Sequence, residues 1–128
     1  MTVALLVKAD GEVTYINLPQ DDAHIMIHHK VGGWFDVVRH PTRNFHGYVH
    51  DEGLFLDMRP NVACSYLFGQ LIVGDVVISG TTENGEEADF CADDETIALY
   101  KHLNADEEYV SRLEEIKTSL WSQVGGKP

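Results

Sequence analysis

VGGWFDVVRH, residues 31–40, is the stretch that decides how the chain is read. A glycine pair ahead of a tryptophan either cradles a ligand or ends one element and begins another. Upstream, Ala23, Met26, Ile27, Lys30 and Val31 recur at helical spacing. A helix commonly stops on a glycine in the left-handed region, and a second glycine lets the chain turn without a side-chain clash. Downstream the period changes to two: Trp34, Asp36 and Val38 point one way, Phe35, Val37 and Arg39 the other. The pair is not GxGxxG, and it precedes a strand where a nucleotide fingerprint would open a helix. VGGW therefore reads as a helix stop and a strand start.

Toward the N-terminus, TVALLVKA at 2–9 and EVTYINL at 12–18 read as two strands. Asp10-Gly11 between them is a hairpin signal, because a tight hairpin turn needs φ > 0. In the second strand neither face is cleanly apolar, which predicts partial burial on both sides. Pro19 ends it, and Asp21 or Asp22 is placed to cap the following helix. No basic region precedes the first apolar run, so the N-terminus reads as a strand and not as a signal peptide. No apolar run approaches the roughly 20 residues of a membrane span. With Cys64 and Cys91 the only cysteines, the expectation is a cytoplasmic protein with free thiols.

Toward the C-terminus, Pro41 biases His40 to an extended conformation. FHGYVH at 45–50 reads as a strand, DEG at 51–53 as its turn, and LFLDM at 54–58 as the returning strand. Asn61 is placed to cap a short helix, VACSYLFG, with Ala63, Tyr66 and Leu67 facing inward. LIVGDVVISG at 71–80 is the most apolar strand and is expected at the sheet centre.

Four groups of side chains are candidates for chemistry. His46, His50 and Asp51 form the richest collection for a metal-dependent hydrolase. In a strand, however, His46 and His50 stand about 13 Å apart at roughly 3.3 Å per residue, too far to share one ion readily. Asp51 and Glu52 adjoin a turn and make a poor acid/base pair unless that turn redirects them. His24 and His28 lie one helical turn apart, without an HExxH pattern or a cysteine partner. Arg39, His40, Arg43 and Arg59 flank strand ends and suit a small anionic or nucleotide ligand, since Arg holds phosphate or carboxylate in a rigid fork. The bland alternative pairs these arginines with Asp36, Asp51 and Asp57. Cys64 and Ser65 carry nucleophilic atoms but lie in no GxSxG elbow. No cofactor is indicated.

The charge is uneven. Net charge is −12, and residues 82–128 hold 12 of the 21 acids. Such a surface repels nucleic-acid phosphates, and no Lys/Arg cluster offsets it. In this half Asn84-Gly85 is a turn whose flanks form a marginal hairpin or a loop crossing to the helices, Asp93 or Asp94 starts a helix over 95–103, and Asn104-Ala105-Asp106 is a break and new cap. A last helix over about 106–123 carries Tyr109, Leu113, Ile116 and Leu120 at 4-3-4 spacing, joined by Val110, Trp121 and Val124. That amphipathic stripe packs on its own sheet or docks a second copy or a host protein. It is too short for a confident coiled coil.

The order of these pieces carries a resemblance. VGGWFDVV, FHGYVHDEGLF, MRPNVACSYLFG and LIVGDVVISG, behind an N-terminal hairpin, resemble the DUF3846 family of small proteins common in phage, plasmid and actinobacterial genomes. The resemblance covers roughly residues 2–100. It implies a compact α+β domain and an accessory protein of mobile DNA, and it transfers no catalytic mechanism. The expected architecture is a small mixed, mainly antiparallel sheet packed by short helices. It divides into a domain over 1–103 and an amphipathic helical extension over 104–128. The expected function is non-enzymatic protein binding, with the interaction residues Tyr109, Leu113, Ile116, Leu120 and Trp121.

Overall fold

The structure is a computed structural model and describes residues 1–123. Val124 and the Gly125-Gly126 helix end lie outside the described residues. The chain runs β1 (Thr2–Val7), β2 (Val13–Leu18), α1 (Ala23–Val31), β3 (Phe35–Arg39), β4 (Phe45–His50), α2 (Val62–Phe68), β5 (Val76–Thr81), β6 (Glu87–Ala88), α3 (Asp94–Ala105) and α4 (Glu107–Gln123). The strands form one sheet in the order β2-β1-β5-β4-β3, and the short β6 pairs with the end of β5. Every pairing among the named strands is antiparallel.

The sheet is buried on both faces at its centre because β1 and β5 are apolar at consecutive positions. Leu5, Val7, Val76 and Ile78 point to one face and join Ala63, Cys64 and Phe68 of α2 and Tyr100 of α3. Ala4, Leu6 and Val77 point to the other and pack on Ile27 and Val31 of α1. Period-2 alternation sends neighbours to opposite faces, so a run such as ALLV feeds both cores. α1 thus crosses one face from edge to edge, while α2, α3 and α4 gather on the other.

Local chemistry sets the boundaries. Gly32 closes α1 at φ 85°, its amide donating to His28 O. Gly33 is required for a different reason: a Cβ there would sit 2.5 Å from His50 Nε2. Asn61 caps α2 by accepting from Cys64 N, and Asp93 caps α3 by accepting from Thr96 N. The hydrogen bonds from Thr96 hold the Asp93 carboxyl below its ordinary range.

Three local expectations are corrected. LFLDM does not return as a strand: residues 51–57 form consecutive turns, with Leu56 N donating to Glu52 O and Met58 N to Gly53 O. Those bonds coil the segment and leave Phe55 and Leu56 exposed. Asp22 precedes α1 but gives it no side-chain cap, because it sits in the left-handed region at φ 59°. The expected break and new cap fall at Asp106, whose Oδ1 accepts from Glu108 N, rather than at Asn104. α3 continues through it to Ala105, and its side chain is buried.

That burial is fully compensated. Asn104 Oδ1 accepts from Ala63 N at 2.8 Å, and its Nδ2 donates to Lys8 O and to Asn61 Oδ1, both at 3.0 Å. Asn61 Nδ2 in turn donates to Val7 O and Gly74 O. Asn104→Ala leaves the Ala63 amide without a partner in a low-dielectric interior and takes one donor each from Lys8 O and Asn61 Oδ1, which keep Gly11 N and Cys64 N. The expected loss is about 3 kcal/mol in a urea titration. A loss below about 1 kcal/mol would show that this network contributes little.

Candidate functional site

α2 and α4 diverge on the surface, and an open apolar cavity of about 370 Å³ lies between them. Val62 and Tyr66 of α2, Leu71 of the following loop, and Tyr109, Leu113 and Ile116 of α4 form its walls. Three of the five residues picked for interaction therefore share one groove. Leu120 lies further along α4 and is exposed, while Trp121 is partly buried with Lys117 Nζ 5.4 Å from its ring centroid.

α4 divides its apolar stripe because of what anchors it. Lys117 is fully buried and donates to Asp57 Oδ1 at 2.8 Å, to Glu114 Oε2 at 2.9 Å and to Met58 O at 3.0 Å. Val110 and Lys117 face inward. Tyr109 and Ile116 stay 39% and 49% exposed. Opposite them Tyr66 is 82% exposed, which corrects its expected inward position. α2 instead buries Ala63, Cys64 and Phe68, so the inward stripe is rotated from the one expected.

The other sequence candidates scatter. Arg39, His40 and Arg43 stand where β3 and β4 meet the end of β5, whereas Arg59 sits at the opposite strand ends beside Ala9. His40 Nδ1 accepts from the Thr42 and Arg43 amides, and its ring lies 4.7 Å from that of Phe45. Arg59 donates to Ala9 O, Asn104 O and Glu107 Oε1, so its guanidinium joins elements. These four do not converge on one ligand.

His46 and His50 take separate partners. His46 contacts Thr81 Oγ1, Tyr48 OH and Glu87 Oε1, the last at 2.9 Å. Tyr48 and Ser79 also donate to the Glu87 carboxylate. This cluster fastens β6 to the sheet, and Ser79 is fully buried beneath it. His50 Nδ1 accepts from Glu52 N and lies 3.8 Å from Asp51. Among the described residues no group of three or more His, Cys, Asp or Glu is placed to hold a metal ion. Ser65 is spent on both backbone polar groups of Ile72.

A wider, shallow cleft of about 690 Å³ beside the end of α1 holds Lys8, Lys30 and Arg59 together with Asp10 and Asp75. Glu12, Asp10 and Asp75 raise the Lys8 ammonium above its ordinary range. Lys8 and Arg59 are also paired with Glu12 and Glu107, so the cleft mixes both signs of charge. The α2–α4 groove is the stronger candidate because its apolar walls remain open to water.

Sheet, helices and groove define a small α+β domain of three layers with an open apolar groove. The chain belongs to the DUF3846 family: the model described as "Domain of unknown function (DUF3846)" matches residues 1–105. No curated protein and no solved structure matches it. Among the described residues no helix is long and apolar enough to cross a membrane.

The sequence showed the α4 half of this groove through its 4-3-4 spacing. It missed Tyr66 and Leu71, whose only signal was their proximity to a seven-residue helix. The cysteines separate by environment: Cys91 is exposed, and burial pushes the Cys64 thiol well above its ordinary range. The thiolate is the reactive form. Iodoacetamide should therefore label Cys91 alone in the native protein and both cysteines in urea. Rapid native labelling of Cys64, read by peptide mass spectrometry, would contradict its place in the core.

Proposed function

We propose that this is a non-enzymatic protein-binding protein and that its partner seats in the α2–α4 groove. One observation carries the reading: Tyr66 is 82% exposed across an apolar groove from Tyr109 and Ile116. Tyrosine offers large contact area for few rotatable bonds and is enriched among interface residues that dominate affinity. Removing such surface from water is worth roughly 25 cal/mol per Å². The candidate nucleophiles do not compete with this reading, since Cys64 and Ser65 are buried within α2.

Two occupants were expected from the stripe, a second copy and a host protein. We favour the host protein, because α4 carries Glu107, Glu108, Glu114 and Glu115 against Arg112 and Lys117, and a second copy would bring the same net negative charge to the stripe. The setting, an accessory role for phage or other mobile DNA, rests on the family resemblance alone.

Tyr66→p-benzoylphenylalanine tests the groove in cells that carry the gene. Irradiation should give one discrete heavier adduct containing a second protein. The adduct should vanish when Ile116→Glu is added, and the same cross-linker at Glu83 in the β5–β6 turn should not form it. No adduct at position 66, or equal yield at both positions, would overturn the reading.

A further inference from the structure

We infer that the groove's partner is a cationic amphipathic helix of about three to four turns, an inference that rests on the protein-binding reading above. The length comes from α4. Tyr109 to Leu120 spans about 16 Å at 1.5 Å per residue, so a helix laid alongside meets the stripe over about three turns. The shape comes from two helical walls, whose groove accepts a third helix in the manner of helix packing. The trough also continues: Gln70 and Leu71 line both this cavity and a second one of about 180 Å³. Val38, Val49 and Phe55 line that second cavity, and Phe55 is 66% exposed. A partner helix therefore meets apolar surface beyond α2 as well.

Charge fixes the partner's sign. α2, VACSYLF, contributes no charged side chain. Among the described residues Arg112 is the one charged side chain lining the groove, and it and the other cations near α4 are paired within the chain. Arg59 pairs with Glu107 at 2.8 Å, Arg112 with Glu108 at 3.0 Å, and Lys117 with Asp57 at 2.8 Å. Glu115 beside Ile116 and Glu52 beside the second cavity face no cation among the described residues. A helix with Lys or Arg flanking its apolar face meets this rim with complementary potential, which raises the association rate and disfavours acidic competitors. A second copy of α4 brings the wrong sign.

Three labelled peptides of about 14 residues test this by fluorescence anisotropy against the full chain. One is a Leu/Lys sequence with helical period, one its Leu/Glu counterpart, and one the Leu/Lys composition scrambled. The periodic Leu/Lys peptide should bind about tenfold tighter than either other peptide. Its binding should weaken severalfold between about 50 and 300 mM salt as the rim is screened. The variant combining Tyr66→Ser and Ile116→Glu, both at exposed positions, should lose about tenfold with an unchanged melting curve. Equal binding of the Leu/Glu peptide overturns the charge of the partner. Equal binding of the scrambled peptide overturns its helical form. If none binds and light scattering shows a concentration-dependent dimer, the occupant is a second copy and the inference fails. If none binds while cross-linking at position 66 still yields a partner, the partner's chemistry is overturned and the docking reading stands.

Discussion

The amide pair of Asn61 and Asn104 sits where β1, α2, α3 and the entry to β5 meet, and each side chain is fully engaged. Asn61 accepts from Cys64 N and from Asn104 while donating to Val7 O and Gly74 O. Asn104 accepts from Ala63 N and donates to Lys8 O. Val7 and Lys8 lie where β1 leaves the sheet, so their carbonyls need partners from outside it. The first amides of α2 have the same need, since a helix leaves its N-terminal donors unpaired. Two side-chain amides answer both needs and fix the distance from sheet to helix. In a low-dielectric interior such a network is strong when complete and costly when broken.

Arg59 extends the junction to α4. Its guanidinium takes Ala9 O, Asn104 O and Glu107, linking the end of β1, the end of α3 and the start of α4. One polar junction thereby positions both walls of the groove, α2 through Asn61 and α4 through Arg59. This is why an arginine that looked like a ligand-binding residue is occupied. It neutralises a carboxylate and pairs two backbone carbonyls that would otherwise lie beside apolar surface.

Most of the fold was legible because it rests on local signals. The glycine pair separates into two requirements, a left-handed cap at Gly32 and space for the His50 ring at Gly33. The strand at 45–50 and the Asn61 cap also follow from short-range chemistry. The misses share a cause: each depended on a partner distant in sequence. LFLDM has strand composition, yet no neighbouring strand takes it up and its backbone closes on itself in turns. Asn104 looked like part of a break, since Asn is a poor helix interior residue, but Ala63 N, Lys8 O and Asn61 Oδ1 compensate its side chain. Tyr66 occupies a position that the helical period alone assigned inward. His46 and Glu87, 41 residues apart, meet only after β6 pairs with β5.

The groove stays open for a reason found on the inward face of α4. Position 117 lies among the residues that packing would fill with an apolar side chain, and it holds a lysine with three acceptors around its ammonium. Directional bonds to Asp57 and Met58 O fix the rotation of the helix about its axis. Apolar contact alone would favour the rotation that buries the most apolar surface, drawing Ile116 and Leu120 inward. With Lys117 in place, Val110 goes in while Tyr109, Ile116 and Leu120 stay toward solvent. The exposed stripe is thus held by the same bonds that dock the helix. A surface fixed in this way would need little ordering to receive the partner proposed for it, and less binding free energy would be lost to immobilising its side chains.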